Sequence, residues 1–247
     1  MKIKLKNSDE LDLMRDGGKI TAAALRAALS AVKTGITTIE LDKIAEQQIL
    51  DLGGQPSFKT VVGYDFSTCI NVNEGLVHGL PNDYVLKKGD IVSIDLGTLY
   101  KGFHTDLSYT VEVDGLTESK FLTIGEDALN AGIKNSVAGK HIGDIGFAMQ
   151  KVIESEGWSV SRDLVGHGIG KDLHEDPYVP GYGKPGVGPE LKVGMVLAIE
   201  IIYQKGRPKI KVADDDWTIV TEDGSLAGLF EHTVAITKDG PEVLTSL

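Results

Sequence analysis

One pattern occurs twice in this chain, and it restricts the possible folds more than any other feature. The strand-like run at residues 89–95 aligns with the run at 194–200, and both begin with glycine and end with a carboxylate. A histidine followed by glycine precedes each run, and a further acid follows it. The first copy contains His78, Asp95 and Asp106, and the second contains His167, Glu200 and Glu231. Single short matches arise by chance, but three features in one order favour two similar halves, at about 1–115 and 116–247.

Helix-like and strand-like segments alternate in the same repeated order. Four segments are predicted to be helical: 8–33, Thr37 to the Gly53-Gly54 pair, 117–136 and 142–156. Thr37 and Glu40 have the spacing of a capping box at the start of the second helix. Strand-like runs separated by turn residues fill 57–113 and resume at Val160. The order predicts an α+β fold in which residues 1–247 form one domain.

Composition excludes several classes of function. The 247 residues are 41% hydrophobic and 25% charged, which is ordinary for a soluble globular chain. The 25 basic and 36 acidic residues give a net charge of −11, which argues against a DNA-binding or membrane-binding surface. One cysteine cannot form an internal disulfide, and we find no signal peptide and no long apolar run. We therefore expect a cytoplasmic protein.

Three acids interrupt runs that otherwise predict buried strands. Asp95 follows residues 91–94, Glu200 lies between aliphatic residues of 196–202, and Glu231 follows Phe230. A buried carboxylate costs several kcal/mol unless a cation or hydrogen-bond donors compensate it. A single acid of this kind is more often at a sheet edge or facing solvent. For several together, a bound metal ion is the simplest compensator.

The fourth acid, Asp106, joins the group through a predicted hairpin. Asp95 and Asp106 are 11 residues apart, and Lys101-Gly102 between them is a plausible turn. Two antiparallel strands joined there place both carboxylates on one face. Two divalent cations would balance the charge of four carboxylates, whereas one would leave two negative charges in a buried site. The sequence therefore favours two metal ions and metal-assisted hydrolysis.

Histidines near glycine supply further candidate ligands. His167 lies between two glycines, His174 follows seven residues later, and His78 precedes Gly79. An isolated histidine is more often a surface or hydrogen-bonded residue than a ligand. One histidine with four carboxylates is a ligand set that suits Mn²⁺, Fe²⁺, Co²⁺ or Zn²⁺.

Taken together, these motifs resemble those of the type I methionine aminopeptidases, within the pita-bread metallopeptidase family. The matching segments are residues 73–81, the Asp95/Asp106 hairpin with residues 102–104, residues 166–170, His174-Glu175, and residues 194–200 and 225–233. The resemblance covers essentially the whole chain. It implies a pita-bread fold with pseudo-two-fold symmetry and a site at the centre of the sheet. The activity it implies is removal of the initiator methionine, when the next residue is small, by hydroxide attack at a dinuclear metal centre.

The resemblance also implies a role for each matched residue. Asp95 would chelate one metal, His167 and Glu200 the other, and Asp106 and Glu231 would bridge both. Glu200 would also take a proton from the bridging water. His174 and His78 would bind substrate rather than metal, at the scissile carbonyl and at the amide nitrogen respectively. Tyr64, Cys69 and Trp217 would lie near the methionine side chain. The sequence departs from the family at Ile201, at Leu173 and in a shorter segment before Cys69.

Two alternatives to this function stay open at the level of sequence. Xaa-Pro peptidases share the fold, but they usually carry a large N-terminal domain for which this chain has no room before Asp95. A non-catalytic pita-bread binding protein would be expected to lose ligands, and all five positions match here.

The expected partners are nascent polypeptide N-termini, and we expect a monomer. A basic strip, Lys205, Arg207, Lys209 and Lys211, is a candidate for transient contact with ribosomal RNA. Because residues 214–216 are all Asp, we favour the interpretation that this strip is a solvated hairpin tip.

Overall fold

Two pairs of helices pack against one large sheet in the computed structural model, which describes residues 3–247. The helices are α1 (Ser8–Ala31), α2 (Thr38–Asp51), α3 (Ser119–Asn135) and α4 (Ile142–Ser155). The strands of the first half are β1 (Gln55–Pro56), β2 (Thr68–Val72), β3 (Gly75–Val77), β4 (Ile91–Tyr100) and β5 (Phe103–Glu112). Those of the second half are β6 (Ser159–Val160), β7 (Val165–Gly168), β8 (Glu175–Pro180), β9 (Val196–Gln204), β10 (Ile210–Val212), β11 (Ile219–Thr221), β12 (Ala227–Thr237) and β13 (Gly240–Val243).

Side-chain caps fix the starts of the first two helices. The Thr37 side chain accepts from the backbone of Glu40 and the Glu40 side chain accepts from the backbone of Thr37, which confirms the predicted capping box. Asn7 and Glu10 form a second capping box at the start of α1. The prediction for α1 was two residues too long, because the backbone at Val32 is extended, with ψ at 119°. Each box pairs two backbone N–H groups that a helix start otherwise leaves without a partner.

The predicted hairpin between the first two acids is present. Strands β4 and β5 pair antiparallel along their whole length, from Ile91 opposite Glu112 to Tyr100 opposite Phe103. The turn between them has positive φ at both central residues, 48° at Lys101 and 85° at Gly102. This two-residue geometry matches the twist of paired strands.

Among residues 3–247 the large sheet has ten strands, and it joins the two halves of the chain. Its main path runs β1-β4-β5-β12-β9-β7-β8, with β2, β6 and β13 paired at its sides. The halves meet where β5 pairs with β12. Strands β10, β11 and β3 form a separate three-stranded sheet. The central hairpin of the first half thus lies beside the central strand pair of the second, as an internal duplication requires.

Each half has its own hydrophobic cluster between helices and sheet. Buried residues of α1 and α2, including Leu25 and Leu41, pack on Ile94 and Leu96 of β4. In the second half, α3 and α4 pack on apolar residues of β9 and β12 such as Ile199. Within residues 3–247, no helix combines the length and the apolar character needed to cross a membrane.

Candidate metal centre and active site

Side chains alternate between the two faces of the central strands, and the four acids lie on the face away from the helices. Neighbours of Asp95 in β4, and Leu107 beside Asp106 in β5, pack into the cluster of the first helix pair. Neighbours of Glu200 in β9, and Phe230 beside Glu231 in β12, pack into the cluster of the second. Because successive side chains of a strand point to opposite faces, all four carboxylates lie on the face opposite the helices.

Strand register then brings the acids together. Glu200 lies directly opposite Glu231, and Ser108 of β5 lies opposite both Glu231 and Asp95. One row across four strands therefore contains Asp95, Ser108, Glu231 and Glu200. Asp106 lies opposite Gly97, two residues along from Asp95, so the two aspartates are diagonal neighbours on one face. The predicted placement of both aspartates on one face of the hairpin is confirmed.

His167 completes a compact group of possible ligands. One atom each from Asp106, His167 and Glu231 lies within 4.8 Å of the others, and all three residues are buried. The Nδ1 atom of His167 lies 2.9 Å from the Gly168 carbonyl oxygen, to which it can only donate. That bond fixes the proton on Nδ1 and leaves Nε2 with a free lone pair. Burial lowers the pKa of His167 to about 3, so the imidazole is neutral and able to bind a metal.

The electrostatics of the four carboxylates favour a bound cation. Burial, followed by repulsion from Asp106, raises the pKa of Glu200 to about 8. Burial raises the pKa of Asp106 to about 7, and burial together with the neighbouring acids raises the pKa values of Asp95 and Glu231 well above their usual range. In the part of the chain described, Asp95 Oδ1 and Glu231 Oε1 are buried without a hydrogen-bond partner. Unpartnered oxygens beside a neutral imidazole fit a divalent metal ion.

Two more histidines border the same cavity. The rings of His174 and His167 are 4.3 Å apart between centroids, with their planes at 70°. His78 follows strand β3 with φ at 59°, a left-handed conformation that costs about 1 kcal/mol or more outside glycine. Burial lowers the pKa of His78 and of His174, so both imidazoles are neutral at pH 7. Both line the cavity together with the candidate ligands.

The cavity has a volume of about 530 Å³ and an apolar end. Tyr64 and Trp217 meet edge to face there, with ring centroids 5.3 Å apart. The Tyr64 hydroxyl lies 3.2 Å from Cys69 Sγ and donates to the Thr68 carbonyl oxygen at 2.8 Å. Leu173, where the sequence departs from the family, also lines the cavity and belongs to the same hydrophobic cluster as Tyr64 and Cys69. The three residues expected near the methionine side chain thus share one wall.

Sequence reasoning missed several residues of this region. Ser108 lies in the row of acids, and its buried hydroxyl has no partner among the described residues. The Thr233 hydroxyl accepts from the Asp106 N–H and donates to the Asp106 carbonyl oxygen, both at 2.8 Å. Phe58 adds an aromatic ring to the apolar end. None carries a local signal, because serine, threonine and phenylalanine are common in strands and turns.

The basic strip is partly neutralised by acids of its own half. Lys205 forms an ion pair with Glu118, and Lys209 lies 3.7 Å from Glu222. The interpretation of the strip as a hairpin tip is wrong, because the strip lies between β9 and β10, with Lys211 inside β10, whereas the tip of the β10–β11 hairpin is residues 213–218.

A cavity in which three buried acids, the half-buried Glu200 and a neutral imidazole converge is typical of a metal-dependent hydrolase. The model of metallopeptidase family M24 matches residues 12–238, so the chain belongs to this family. It is 48% identical to the methionine aminopeptidase of Clostridium perfringens over 245 residues, which cover 98% of each chain. It is 45% identical to methionine aminopeptidase 1 of Bacillus subtilis, across 97% of this chain and 98% of the relative.

Solved structures show the same fold. The methionine aminopeptidase of Thermotoga maritima superposes with a TM-score of 0.97 at 40% identity, and each chain is covered completely. The prolidase of Pyrococcus furiosus superposes with a TM-score of 0.81 at 24% identity, and this chain covers 65% of it. The fold is therefore the pita-bread fold that the sequence predicted.

Proposed function

We propose that this chain is a divalent-metal-dependent aminopeptidase that removes the N-terminal methionine of new polypeptides when the next residue is small. The observation that carries the proposal is the convergence of Asp95, Asp106, His167, Glu200 and Glu231 on one cavity. Relatives at 45–48% identity along nearly the whole chain support the same activity.

The five residues are proposed as the metal ligands. Asp106, Glu231 and His167 would hold metal from the compact ligand group, and Asp95 and Glu200 would hold it from the same cavity. Four carboxylates balance two divalent ions, and the mixed oxygen and nitrogen set suits Mn²⁺, Fe²⁺, Co²⁺ or Zn²⁺. When bound, such ions polarise a carbonyl group and lower the pKa of water.

The remaining steps fall to groups of the chain itself. Glu200 lines the cavity beside the other candidate ligands, and its carboxylate is proposed to accept a proton from the attacking water. His174 is neutral and open to the cavity, so its N–H can donate to the scissile carbonyl oxygen as charge develops there. His78 faces the same cavity and is proposed to contact the substrate amide nitrogen.

Specificity is proposed to come from the apolar end of the cavity. A methionine side chain is long, flexible and polarisable, and it makes favourable sulfur–aromatic contacts. Tyr64 and Trp217 supply aromatic rings, and Cys69 of β2 supplies a small side chain to the wall of the cavity. Leu173 adjusts the shape of this pocket. The loss of contact with one methylene group changes the discrimination between substrates by only about 1–3 kcal/mol, so Leu173 would tune the preference without inverting it.

We propose that residues 1–247 act as one catalytic domain and as a monomer. Asp95 and Asp106 come from the first half, and His167, Glu200 and Glu231 come from the second. Both halves are therefore needed for one site, and no second copy of the chain is needed. New polypeptides are made in the cytoplasm, which is where we expect the reaction.

Three peptides measured under one metal condition test the function. We expect efficient release of methionine from Met-Ala-Ser, much slower cleavage of Met-Lys-Ser and little cleavage of an Ala-Pro peptide. Preference for Ala-Pro in kcat/KM would overturn the proposal and favour an Xaa-Pro peptidase. Full activity in protein freed of divalent metal would overturn the metal requirement.

The role of His174 has its own test. His174→Ala should lower kcat about 10²–10³-fold, the loss typical of a donor to a developing oxyanion. The ratio of metal to protein should not change. If metal content falls together with activity, His174 is a ligand and the proposed ligand set is wrong.

A further inference from the structure

A buried ion pair lies next to the proposed active site and takes no part in the chemistry described so far. Lys6 Nζ lies 2.7 Å from Glu175 Oε2, although the two residues are 169 positions apart in the chain. Their side chains are only 4% and 2% exposed. Two charges taken out of water repay their desolvation only when the geometry is good, so a buried pair is weak support for stability. The question is what this pair holds in place.

The second oxygen of Glu175 binds the loop that leads to His174. Glu175 Oε1 accepts from the backbone N–H of Lys171 at 3.0 Å and of Asp172 at 3.3 Å. Strand β8 begins at Glu175 and pairs with β7, which contains His167. His174 is therefore the last residue between a loop tied to the carboxylate and a strand tied to the sheet.

Lys6 is fixed at both of its ends. Its backbone N–H donates to the Gly194 carbonyl oxygen at 2.7 Å. Its side chain passes over Gly170, where a Cβ atom would lie 2.4 Å from Lys6 Cε. Only glycine at position 170 leaves room for this path without displacing the end of the lysine. The ammonium group is thus led to one place, at the carboxylate of Glu175.

We propose that Lys6 and Glu175 are positioning residues that fix the loop at residues 170–174 and thereby aim the imidazole of His174. This inference rests on the proposed function, since His174 acts on substrate only there. Without the ammonium group, the Glu175 carboxylate has lost its buried cation and must take up a proton or turn towards water. Either change weakens its hold on the Lys171 and Asp172 N–H groups, and the loop then carries His174 away from the orientation it needs.

A cycle of four proteins separates positioning from general stability. The proteins are wild type, Lys6→Met, His174→Ala and the double variant. We expect Lys6→Met to lower kcat about 10–100-fold, a loss of the size that a small misplacement causes, with KM and metal content nearly unchanged. In the His174→Ala background the same change should lower kcat less than about twofold, because residues that act as a unit are not additive. An equal loss in both backgrounds, or no loss in either, would overturn the inference.

Lys4→Met is the matched control. Lys4 Nζ also binds Glu175 Oε1, at 3.1 Å, but its side chain is 44% exposed and water can replace it. We expect kcat to change less than about twofold, because exposed ion pairs contribute little. A loss as large as that of Lys6→Met would show that the exposed Lys4 contact matters as much as the buried one, and would overturn the claim that the buried contact is what positions His174.

A second variant keeps the inference testable if Lys6→Met does not fold. Lys6→Met with Glu175→Gln removes both buried charges, and the glutamine oxygen can still accept from the Lys171 and Asp172 N–H groups. We expect this protein to fold and to have a kcat close to that of wild type. If it folds and stays as inactive as His174→Ala, the loop is not held in the way proposed. Failure of the proposed function would appear earlier, as absence of methionine release by wild type or full activity of His174→Ala.

Discussion

Replacing Asp42 with alanine should destabilise the fold and loosen the proposed methionine pocket together. Asp42 lies on α2 with 3% of its surface exposed. Its Oδ1 accepts from the Ser67 N–H at 2.9 Å, the Thr68 N–H at 2.8 Å and the Thr68 hydroxyl at 2.9 Å. The Thr68 carbonyl oxygen in turn accepts from the Tyr64 hydroxyl. A helix carboxylate thus holds the start of the strand that carries Cys69.

The size of the effect follows from the groups left without a partner. Alanine orphans two buried backbone N–H groups, at about 1–3 kcal/mol each, whereas the Thr68 hydroxyl can rotate. We expect Asp42→Ala to lose about 2–6 kcal/mol of unfolding free energy in urea denaturation, and kcat/KM to fall more for a Met peptide than for a Leu peptide. Asp51→Ala, at the exposed end of the same helix, is the control and should lose less than about 0.5 kcal/mol. A difference of under 1 kcal/mol between the two variants would refute the reasoning.

The buried carboxyl group of Asp42 should also make the unfolding free energy depend on pH. Burial raises the pKa of Asp42 above its usual value, and the hydrogen bonds from Thr68 and Ser67 only partly oppose the shift. At pH values between the pKa of Asp42 in the unfolded chain and its higher pKa in the folded chain, the folded state binds more protons. The contribution of Asp42 to the unfolding free energy therefore falls as pH rises. Asp42→Asn has no titrating group at this position. The difference in unfolding free energy between wild type and Asp42→Asn should therefore become smaller from acid to neutral pH. An advantage that grows over that range would contradict the assignment.

Three further outcomes are expected from other parts of the structure. Removing divalent metal with a chelator should lower Tm, because a ligand bound only by the folded state stabilises it; an unchanged Tm in calorimetry would contradict the metal centre. Thr233→Val should lower the unfolding free energy by about 1–3 kcal/mol in equilibrium denaturation, because the Asp106 N–H loses its acceptor. Thr233→Ser keeps the hydroxyl and should not lower it. Gly17→Ala should stabilise the protein by about 0.4–1 kcal/mol, because the added Cβ meets only ordinary contacts. Gly18→Ala should destabilise the protein, because the added Cβ would lie 2.1 Å from the Leu244 carbonyl oxygen. Equal signs in thermal melts would refute that contrast.

Much of the fold and of the site could be predicted because the signals were local. An acid in an apolar strand-like run is visible within a few residues, as at Asp95 and Glu200. The Lys101-Gly102 turn and the Thr37 cap are likewise short patterns with a physical cause, and the structure contains both. The order of helices and strands showed the two halves before any contact between them was known.

Contacts between distant segments could not be predicted in this way. Nothing near Lys6 in the chain shows that its ammonium group ends at Glu175, and nothing near Asp42 shows that it binds Ser67 and Thr68. The place of Ser108 in the row of acids depends on the register of β5 with both β4 and β12. Pairings between separate strands fix these relations, and one sequence carries no direct signal for them.

The two histidines of the duplicated pattern show how equivalent positions acquire different roles. His167 lies within β7, opposite Ala198 of β9, so the large sheet places it beside the row of acids. His78 follows β3, which pairs with β11 in the small sheet. Among the described residues, His167 joins Asp106 and Glu231 in the compact ligand group and His78 does not. The duplication therefore supplies two acids from each half. The pairing of β7 with the large sheet makes His167 a candidate ligand, whereas the pairing of β3 with the small sheet places His78 on the cavity wall, where substrate would pass.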